Sequence, residues 1–507
     1  MNVLGGEKTQ TNWYNTFKDI IWPIKKIESN KFFFIAALLF CILFIQNIIR
    51  ALKDGIVTTQ IGAETISFLK FWGVMPASLL IIAIYVKLIH KFKGTTIFYS
   101  TITGFLVFFT LFAFVIFPNA ENFHLSKTWG NELVANYPRF KWFILLLSNW
   151  SFSLFYVIVE LWPNTVLSLL TWQFINSITT VEQSKRFYIL FGIISQLSLV
   201  LAGLILVNSA EIKFLLFGYS GFDNDKLQVQ LLLSFVILFG LIALVLFWYL
   251  NNKVFTQENY AFVIKPKSKK TSLVESLKLI WSSKYIRLIT LLLVCYGATI
   301  NLVEGPWKAR TSSVYTTIET FTSFTGLYLV YTGVITISMV IIGSNVVRRI
   351  GWAATTSITP VIIFVTGIFV FISSSFQDAL LGYLVVVDPI NFAIIAGVIQ
   401  NVLSKSSKYA LFDATKEMAY VPLDDETKTK GKAAADMLGV KFGKSLGSAI
   451  QVFLLMQVVG SGYASYATIT STLMLIFSIF CMIWFYSIYE LNKEYLAKLN
   501  NKESIDE

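Results

Sequence analysis

Long uninterrupted apolar blocks, about 20 residues each, recur along this 507-residue sequence and constrain its fold more than any other feature. Only 14% of the residues are charged, whereas a soluble chain carries about 25%. Apolar runs of this length cross a bilayer as helices, because a helix satisfies its backbone hydrogen bonds internally. The sequence therefore predicts an all-α membrane protein with many transmembrane helices.

Twelve transmembrane helices are predicted, and a long basic connector after the sixth divides them into two six-helix halves. The predicted segments are a cytoplasmic N-terminus (1–31), a first half (32–250), a basic linker (251–285), a second half (286–489) and a cytoplasmic tail (490–507). Approximate limits of the predicted spans are 32–54, 66–89, 96–117, 141–175, 187–208, 229–250, 286–307, 324–344, 353–374, 380–418, 434–459 and 466–489.

The distribution of basic residues predicts the orientation. Lysine and arginine concentrate in the connectors that lie on the same side as the N-terminus, so both termini are expected in the cytoplasm. The net charge of +12 is then explained by topology and by attraction to anionic lipid, without nucleic-acid binding. The two histidines, His90 and His124, stand in different connectors, and the three cysteines lie far apart in apolar blocks. No metal site, disulfide framework or cofactor is expected.

A weak internal repeat supports the division into halves. The segment from Cys41 to Arg50 aligns with the segment from Cys295 to Glu304, with Cys and Asn at matching positions and an offset of 254 residues. Six plus six helices with both termini on one side resemble the plan of major facilitator proteins. In that plan a central cavity lies between the halves, near the bilayer midplane.

Ionisable residues inside apolar blocks are the candidates for a functional site, because each costs about 2.5–3.5 kcal/mol to insert. Simpler explanations stay open for them: Lys53 and Lys308 could snorkel to the outer interface, and Glu160 could pair structurally with a lysine. A role in topology alone is the alternative for Lys444. The six candidates are Arg50, Lys53, Glu160, Glu304, Lys308 and Lys444.

The stretch G-V-K-F-G-K-S-L-G-S at 439–448 superficially matches a nucleotide-binding P-loop. A P-loop needs four residues between its first glycine and the Gly-Lys pair, whereas three separate Gly439 from Gly443 here. The flanking sequence predicts one continuous helix, whose backbone donors are already engaged. Glycines at every fourth position instead predict a face of small residues for close helix packing. Lys444 would project beside that face.

Several cations and two carboxylates in a central cavity suit an anionic substrate. Lysine is a compact point charge for phosphate oxygens, and the glutamates would pair with the lysines when the site is empty. Trp162, Trp307 or Tyr296 could stack on a base, although core packing is the default expectation for each.

The charged motifs resemble those of the ATP/ADP translocase family, the nucleotide transporters of obligate intracellular bacteria and plastids. The motifs are Arg50-Ala-Leu-Lys53-Asp54, Glu160-Leu-Trp-Pro163, Glu304-Gly-Pro-Trp307-Lys308 and Gly443-Lys444-Ser445. The resemblance implies that Lys53, Glu160, Glu304 and Lys444 are the charged residues important for transport. Arg50 and Lys308 are added to the candidates because they stand close to these residues in the sequence.

The resemblance implies a secondary antiporter, not an enzyme, that exchanges ATP and ADP across the bacterial inner membrane by alternating access. Two alternatives stay open: a paralogue exchanging CTP, UTP, GTP or NAD, and a proton-coupled organophosphate symporter in which Glu160 carries the proton. A membrane receptor or structural protein would leave the buried charges unexplained. The charge set specifies phosphate and leaves the base preference open.

Overall fold

The computed structural model describes residues 24–218, 224–254, 278, 280–375, 389–458 and 463–506. Most of the predicted N-terminal segment and most of the predicted basic linker lie outside these ranges. The division into two separate halves stays a prediction. For description, the N-half is residues 24–254 and the C-half is residues 278–506.

Twelve long helices, α1 to α12, lie in the described ranges at the positions of the predicted spans. In the N-half they are α1 (Ser29–Gln60), α2 (Thr65–Lys91), α3 (Gly94–Ile116), α4 (Trp150–Ile178), α5 (Val181–Val207) and α6 (Asn224–Val254). In the C-half they are α7 (Lys284–Val314), α8 (Ile318–Gly343), α9 (Arg349–Ser374), α10 (Pro389–Ser407, Lys408–Phe412 and Asp413–Ala419), α11 (Asp425–Leu455) and α12 (Tyr463–Asp506). Shorter helices form Lys26–Glu28, Ala120–Phe123, Lys127–Asn136, Pro138–Phe140, Lys141–Ser148 and Ser209–Phe217.

Ten helices of the described chain are long and apolar enough to cross a membrane. The two long helices outside that set are α10 and α11, which carry polar side chains such as Lys405, Lys444 and Gln451 along their length. The predicted all-α membrane fold is confirmed. Length and hydropathy alone support ten crossings, and one of the remaining two helices, α11, carries the candidate Lys444.

One predicted boundary is wrong. The fourth span was expected to begin at 141, but a short helix ends at Ser148 and α4 begins only at Trp150. Asn149 between them leaves the helical region, with φ −109° and ψ 45°. Ser148 and Asn149 interrupt the apolar run at this turn, but residues 141–162 contain no proline or glycine, the strongest markers of a helix end.

Five of the long helices of the described chain contain π-helical turns. These are Leu69–Val74 in α2, Phe112–Ile116 in α3, Pro163–Thr171 in α4, Leu250–Val254 in α6 and Lys408–Phe412 in α10. Pro163 lacks a backbone N–H and so cannot complete the regular hydrogen-bond ladder. A π turn changes which side chains face a given direction, and such turns are frequent at functional sites.

The glycine-rich stretch at 439–448 is the middle of α11, not a phosphate-binding loop. Its small face packs against α7 as predicted: a Cβ on Gly443 would approach the carbonyl oxygen of Val294 to 2.2 Å, and one on Gly439 would meet Leu293 at 2.5 Å. The absence of side chains lets the two helix backbones touch. This contact fixes α11, and therefore Lys444, next to α7.

Contacts between the halves gather toward one end of the bundle. We call this end the far face, and the end where α1 begins and α12 finishes the terminal face. Near the far face, Lys213 forms an ion pair of 2.8 Å with Glu319 of α8, and Gln228 donates a hydrogen bond to Thr322. A Cβ on Gly203 of α5 would lie 2.7 Å from the carbonyl oxygen of Gly326 in α8. The halves are therefore closed against each other at the far face.

The contact between α5 and α8 can be tested by adding one methyl group. In Gly203→Ala the methyl meets α8 backbone, which can retreat only if the helices separate. Overpacking of this kind costs about 1–3 kcal/mol, so the far face is expected to open more often. Ser67, buried and bonded to Gln451 across the interface, provides the reporter as Ser67→Cys. Its labelling by a water-soluble maleimide in detergent is expected to accelerate about fivefold or more.

The control for this experiment is Gly192→Ala on the same helix, because nothing lies within 4 Å of a Cβ there. Background labelling is small, since Cys41, Cys295 and Cys481 are all buried. Equal labelling rates in the two alanine variants would show that the α5–α8 contact does not hold the far face closed.

Candidate functional site

Helix α1 carries three charged residues at its interface with the C-half. Arg50, Lys53 and Asp54 are spaced by three and four residues, so they share one side of the helix. Lys53 and Asp54 are only 3% and 6% exposed, inside a mainly apolar helix. Burial of these charges in a membrane protein requires partners close by.

A chain of ion pairs supplies those partners and crosses between the halves. Lys53 donates to Asp54 Oδ1 at 2.6 Å and contacts Glu160 Oε1 of α4 at 2.9 Å. Lys308 of α7 donates to Asp54 Oδ2 at 3.0 Å and lies 3.8 Å from Glu304. The Asp54 carboxylate therefore accepts one hydrogen bond from an ammonium group of each half.

The chain continues through α2 to α11. Lys70, on the π turn of α2, lies 3.5 Å from Glu304 and donates to Asn301 Oδ1 at 2.6 Å. Asn301 in turn donates to the backbone oxygen of Lys444 at 2.9 Å and to Ser448 at 2.6 Å. Five helices are joined by this chain: α1, α2 and α4 of the N-half and α7 and α11 of the C-half.

The pairing of Asp54 with Lys308 follows the internal repeat. The two residues are 254 positions apart, the same offset that aligns Arg50 with Glu304. Equivalent positions of the two halves thus face each other, with a carboxylate on one side and an ammonium group on the other. The repeat places opposite charges at the centre of the interface.

The ion-pair chain and the cations beside it form one cluster. Three of these cations, Arg50, Lys405 and Lys444, have no carboxylate within 4 Å among the described residues. They still interact electrostatically with the chain: Arg50 with Glu304 and Glu160, and Lys444 with the same two glutamates and with Arg50. Lys405 interacts with Arg50 and Glu304. The cluster therefore contains positive charge that its own carboxylates do not pair.

Lys444 combines these interactions with an exposed side chain. Its charge acts on Arg50 and Glu160 in the opposite half, so it faces the space between the halves. Exposure at that position means that the space is open to water. Because the far face is closed, this gap opens toward the terminal face.

The structure brings all six sequence-predicted residues into one cluster. Lys53, Glu160, Glu304 and Lys308 belong to the ion-pair chain, and Arg50 and Lys444 lie beside it. Lys308 is buried and paired, so the alternative that it snorkels to an interface is wrong. Their role in binding a substrate stays a prediction.

Sequence reasoning missed four members of the cluster. Asp54 stands in one of the charged motifs but is not among the six candidates, although the repeat offset makes it the counterpart of Lys308. Lys70 comes within 4 Å of Glu304 only through tertiary packing. Lys405 and Lys408 lie in α10, whose polar sequence gave a weak helix signal, and Lys408 pairs with Asp413 at 2.7 Å.

The three aromatic residues considered for stacking on a base are core residues. Trp162 is fully buried and donates its indole N–H to the carbonyl of Ile42. Trp307 is 3% exposed and Tyr296 is 5% exposed, and Tyr296 stacks on Phe412. None of them presents an open ring to a base in this conformation, which agrees with the default expectation of core packing for all three.

The cluster has the chemistry of a site for a multiply charged anion. Lysine and arginine donors converge on the gap beside Lys444, and the carboxylates keep the buried ammonium groups paired while no anion is present. Phosphate oxygens entering the gap would meet the three unpaired cations and could replace carboxylates around Lys53 and Lys308. The same exchange of partners would loosen the contact between the halves.

Comparison with known proteins agrees with this chemistry. Residues 7–495 match the family model described as TLC ATP/ADP transporter. A Rickettsia bellii protein named ADP,ATP carrier protein 4 is 55% identical over 487 residues, covering 95% of this chain and 93% of the relative. A Rickettsia prowazekii protein named ADP,ATP carrier protein 3 is 39% identical over 496 residues, covering 96% and 98%.

Solved transporter structures share the architecture. A bacterial homologue of the iron transporter ferroportin, in an inward-facing state, superposes with a TM-score of 0.57 at 13% identity over 90% of this chain and 98% of that chain. The nucleoside transporter NupG gives 0.54 at 12% identity, over 90% and 99%. At these identities the likeness concerns the fold alone, and it confirms the predicted major-facilitator-like, all-α arrangement.

The family match extends over nearly the whole chain, and the resemblance inferred from the charged motifs is thereby confirmed. The protein is a multi-pass membrane transporter, not an enzyme. It belongs to the TLC ATP/ADP transporter family.

Proposed function

We propose that this protein is a secondary antiporter that exchanges ATP for ADP across the bacterial inner membrane, with both termini in the cytoplasm. The names of its relatives support this substrate pair over other ribonucleotides or NAD. The observation that carries the proposal is the ion-pair chain through Asp54, flanked by the unpaired cations Arg50, Lys405 and Lys444. Such a site holds phosphates without any catalytic group.

Binding begins at the cations that have no carboxylate partner. Nucleotide phosphates enter the gap from the terminal face and meet exposed Lys444, then Arg50 and Lys405. Lys53 and Lys308 follow, because a polyphosphate competes with Asp54 and Glu160 for their ammonium groups. With the termini in the cytoplasm, the gap described here faces the cytoplasm.

Obligate exchange follows from the state of Asp54. In the empty carrier, Asp54 ties the two halves together through Lys53 and Lys308, and moving the halves would leave buried charges unpaired. A bound nucleotide supplies replacement charge, so only the loaded carrier changes conformation readily. A ligand shifts such an equilibrium by its differential affinity for the two states.

The first test is a counter-exchange assay in proteoliposomes. Uptake of labelled ATP is expected to require ADP or ATP inside the vesicles, because the empty carrier does not return. Internal CTP, UTP, GTP and NAD are each loaded in turn and are expected to support less exchange. Uptake that ignores internal nucleotide, or that follows an imposed pH gradient and collapses with an uncoupler, would contradict antiport and favour the proton-coupled symporter.

The second test compares two lysines on α11. Lys444→Gln removes an unpaired cation of the cluster and is expected to raise the KM for ATP about tenfold or more, since a charged hydrogen bond contributes about 1.5–3 kcal/mol. Lys441→Gln is the matched control, because Lys441 is also exposed on α11 but interacts with none of the cluster's charges. Equal KM values for the two variants would remove Lys444 from the binding site.

The third test is a double-mutant cycle on the central pair. Asp54→Asn removes one carboxylate partner from each of two buried ammonium groups, those of Lys53 and Lys308. The variant is expected to destabilise the folded carrier by about 3–5 kcal/mol. Adding Lys308→Met removes one of those charges, so the double variant is expected to be more stable than Asp54→Asn alone. Thermal unfolding in detergent measures the ranking. Additive losses of stability would show that the pair does not hold the halves together.

A further inference from the structure

One aromatic side chain of α10 lies open in the gap beside the cluster. Tyr409 is 43% exposed, whereas its neighbours Leu411 and Phe412 are buried. Its hydroxyl group interacts electrostatically with Arg50, which belongs to the opposite half. The Tyr409 ring is exposed on the C-half and interacts with the charge of Arg50 on the N-half. It therefore lies in the space between the halves and not against lipid.

The π turn at Lys408–Phe412 accounts for this orientation. An extra residue in the turn shifts the helical register, so Leu411 and Phe412 pack inward while Tyr409 points away from the core. Lys408 lies over the Tyr409 ring, with 4.4 Å between Nζ and the ring centroid, and is itself fixed by Asp413 at 2.7 Å. One face of the ring is thus covered by a fixed ammonium group.

The same stretch of α10 carries one of the unpaired cations. Lys405 lies one turn before Tyr409, over the ring of Tyr328 at 5.1 Å, and its charge acts on Arg50 and Glu304. A ring and a free cation separated by one helical turn match the two parts of a nucleotide, a flat base and a charged phosphate chain. Base–aromatic stacking is sequence-tolerant, because every base has a π face.

We propose that Tyr409 is the base-stacking residue of the substrate site, and that the nucleobase lies on the exposed part of its ring while the phosphates reach Lys405 and Arg50. This inference rests on the proposed nucleotide exchange and adds a subsite to it. Tyr409 then contributes to the affinity for nucleotides and does not contribute to the affinity for inorganic polyphosphate.

The test separates the base from the phosphates. For Tyr409→Ala, the KM for ATP exchange is expected to rise about 5- to 100-fold, the range of stacking contributions measured by alanine substitution. Inhibition of exchange by inorganic tripolyphosphate is expected to keep its Ki within about twofold. Tyr409→Phe, which keeps the ring, is expected to retain the wild-type KM. Tyr486→Ala, an exposed tyrosine of α12, is the control for loss of a surface ring.

An unchanged KM in Tyr409→Ala would overturn the inference, and so would an equal weakening of ATP and tripolyphosphate, which would place Tyr409 with the phosphate ligands. If Tyr409→Ala does not reach the membrane, Tyr409→Leu carries the same two expectations. Failure of the wild-type protein to exchange any nucleotide would instead overturn the proposed function. The two failures are therefore distinguishable.

Discussion

The carboxylate of Asp54 is the point on which the two halves of this transporter depend. Each of its oxygens accepts a hydrogen bond from an ammonium group, one from Lys53 on the same helix and one from Lys308 across the interface. A buried carboxylate that lost these partners would cost several kcal/mol, so α1 and α7 must approach each other at this depth. The internal repeat makes the approach possible by placing opposite charges at equivalent positions.

The contacts at the far face lie in the same interface between the two halves. Gly203 and Gly326 let α5 and α8 touch backbone to backbone, and Lys213 with Glu319 adds an ion pair near the ends of those helices. These contacts close one end of the bundle while the gap stays open at the other. Because the central charges and the far-face contacts join the same two halves, an anion that replaced Asp54 at the lysines would also weaken the closure.

The sequence predicts the helices well and the site in part. Apolar blocks of about 20 residues have one stable solution in a bilayer, and charges within them are conspicuous, so Lys53, Glu160 and Lys444 could be identified early. Lys70 and Lys405 could not, because only tertiary packing brings α2 and α10 to the cluster. The start of α4 was missed because no glycine or proline marks the turn at Asn149.

The division of the cations into paired and unpaired sets bears on turnover. A carrier must release its substrate as well as bind it. If every cation were free, a polyphosphate would gain the full attraction of each and dissociate slowly. In the proposed mechanism, Lys53 and Lys308 must break their ion pairs with Asp54 and Glu160 to bind phosphate, and that cost offsets part of the attraction. On release those pairs would form again. The carboxylates would therefore lower the affinity for nucleotide to a level that permits exchange, while exposed Lys444 would make the first contact.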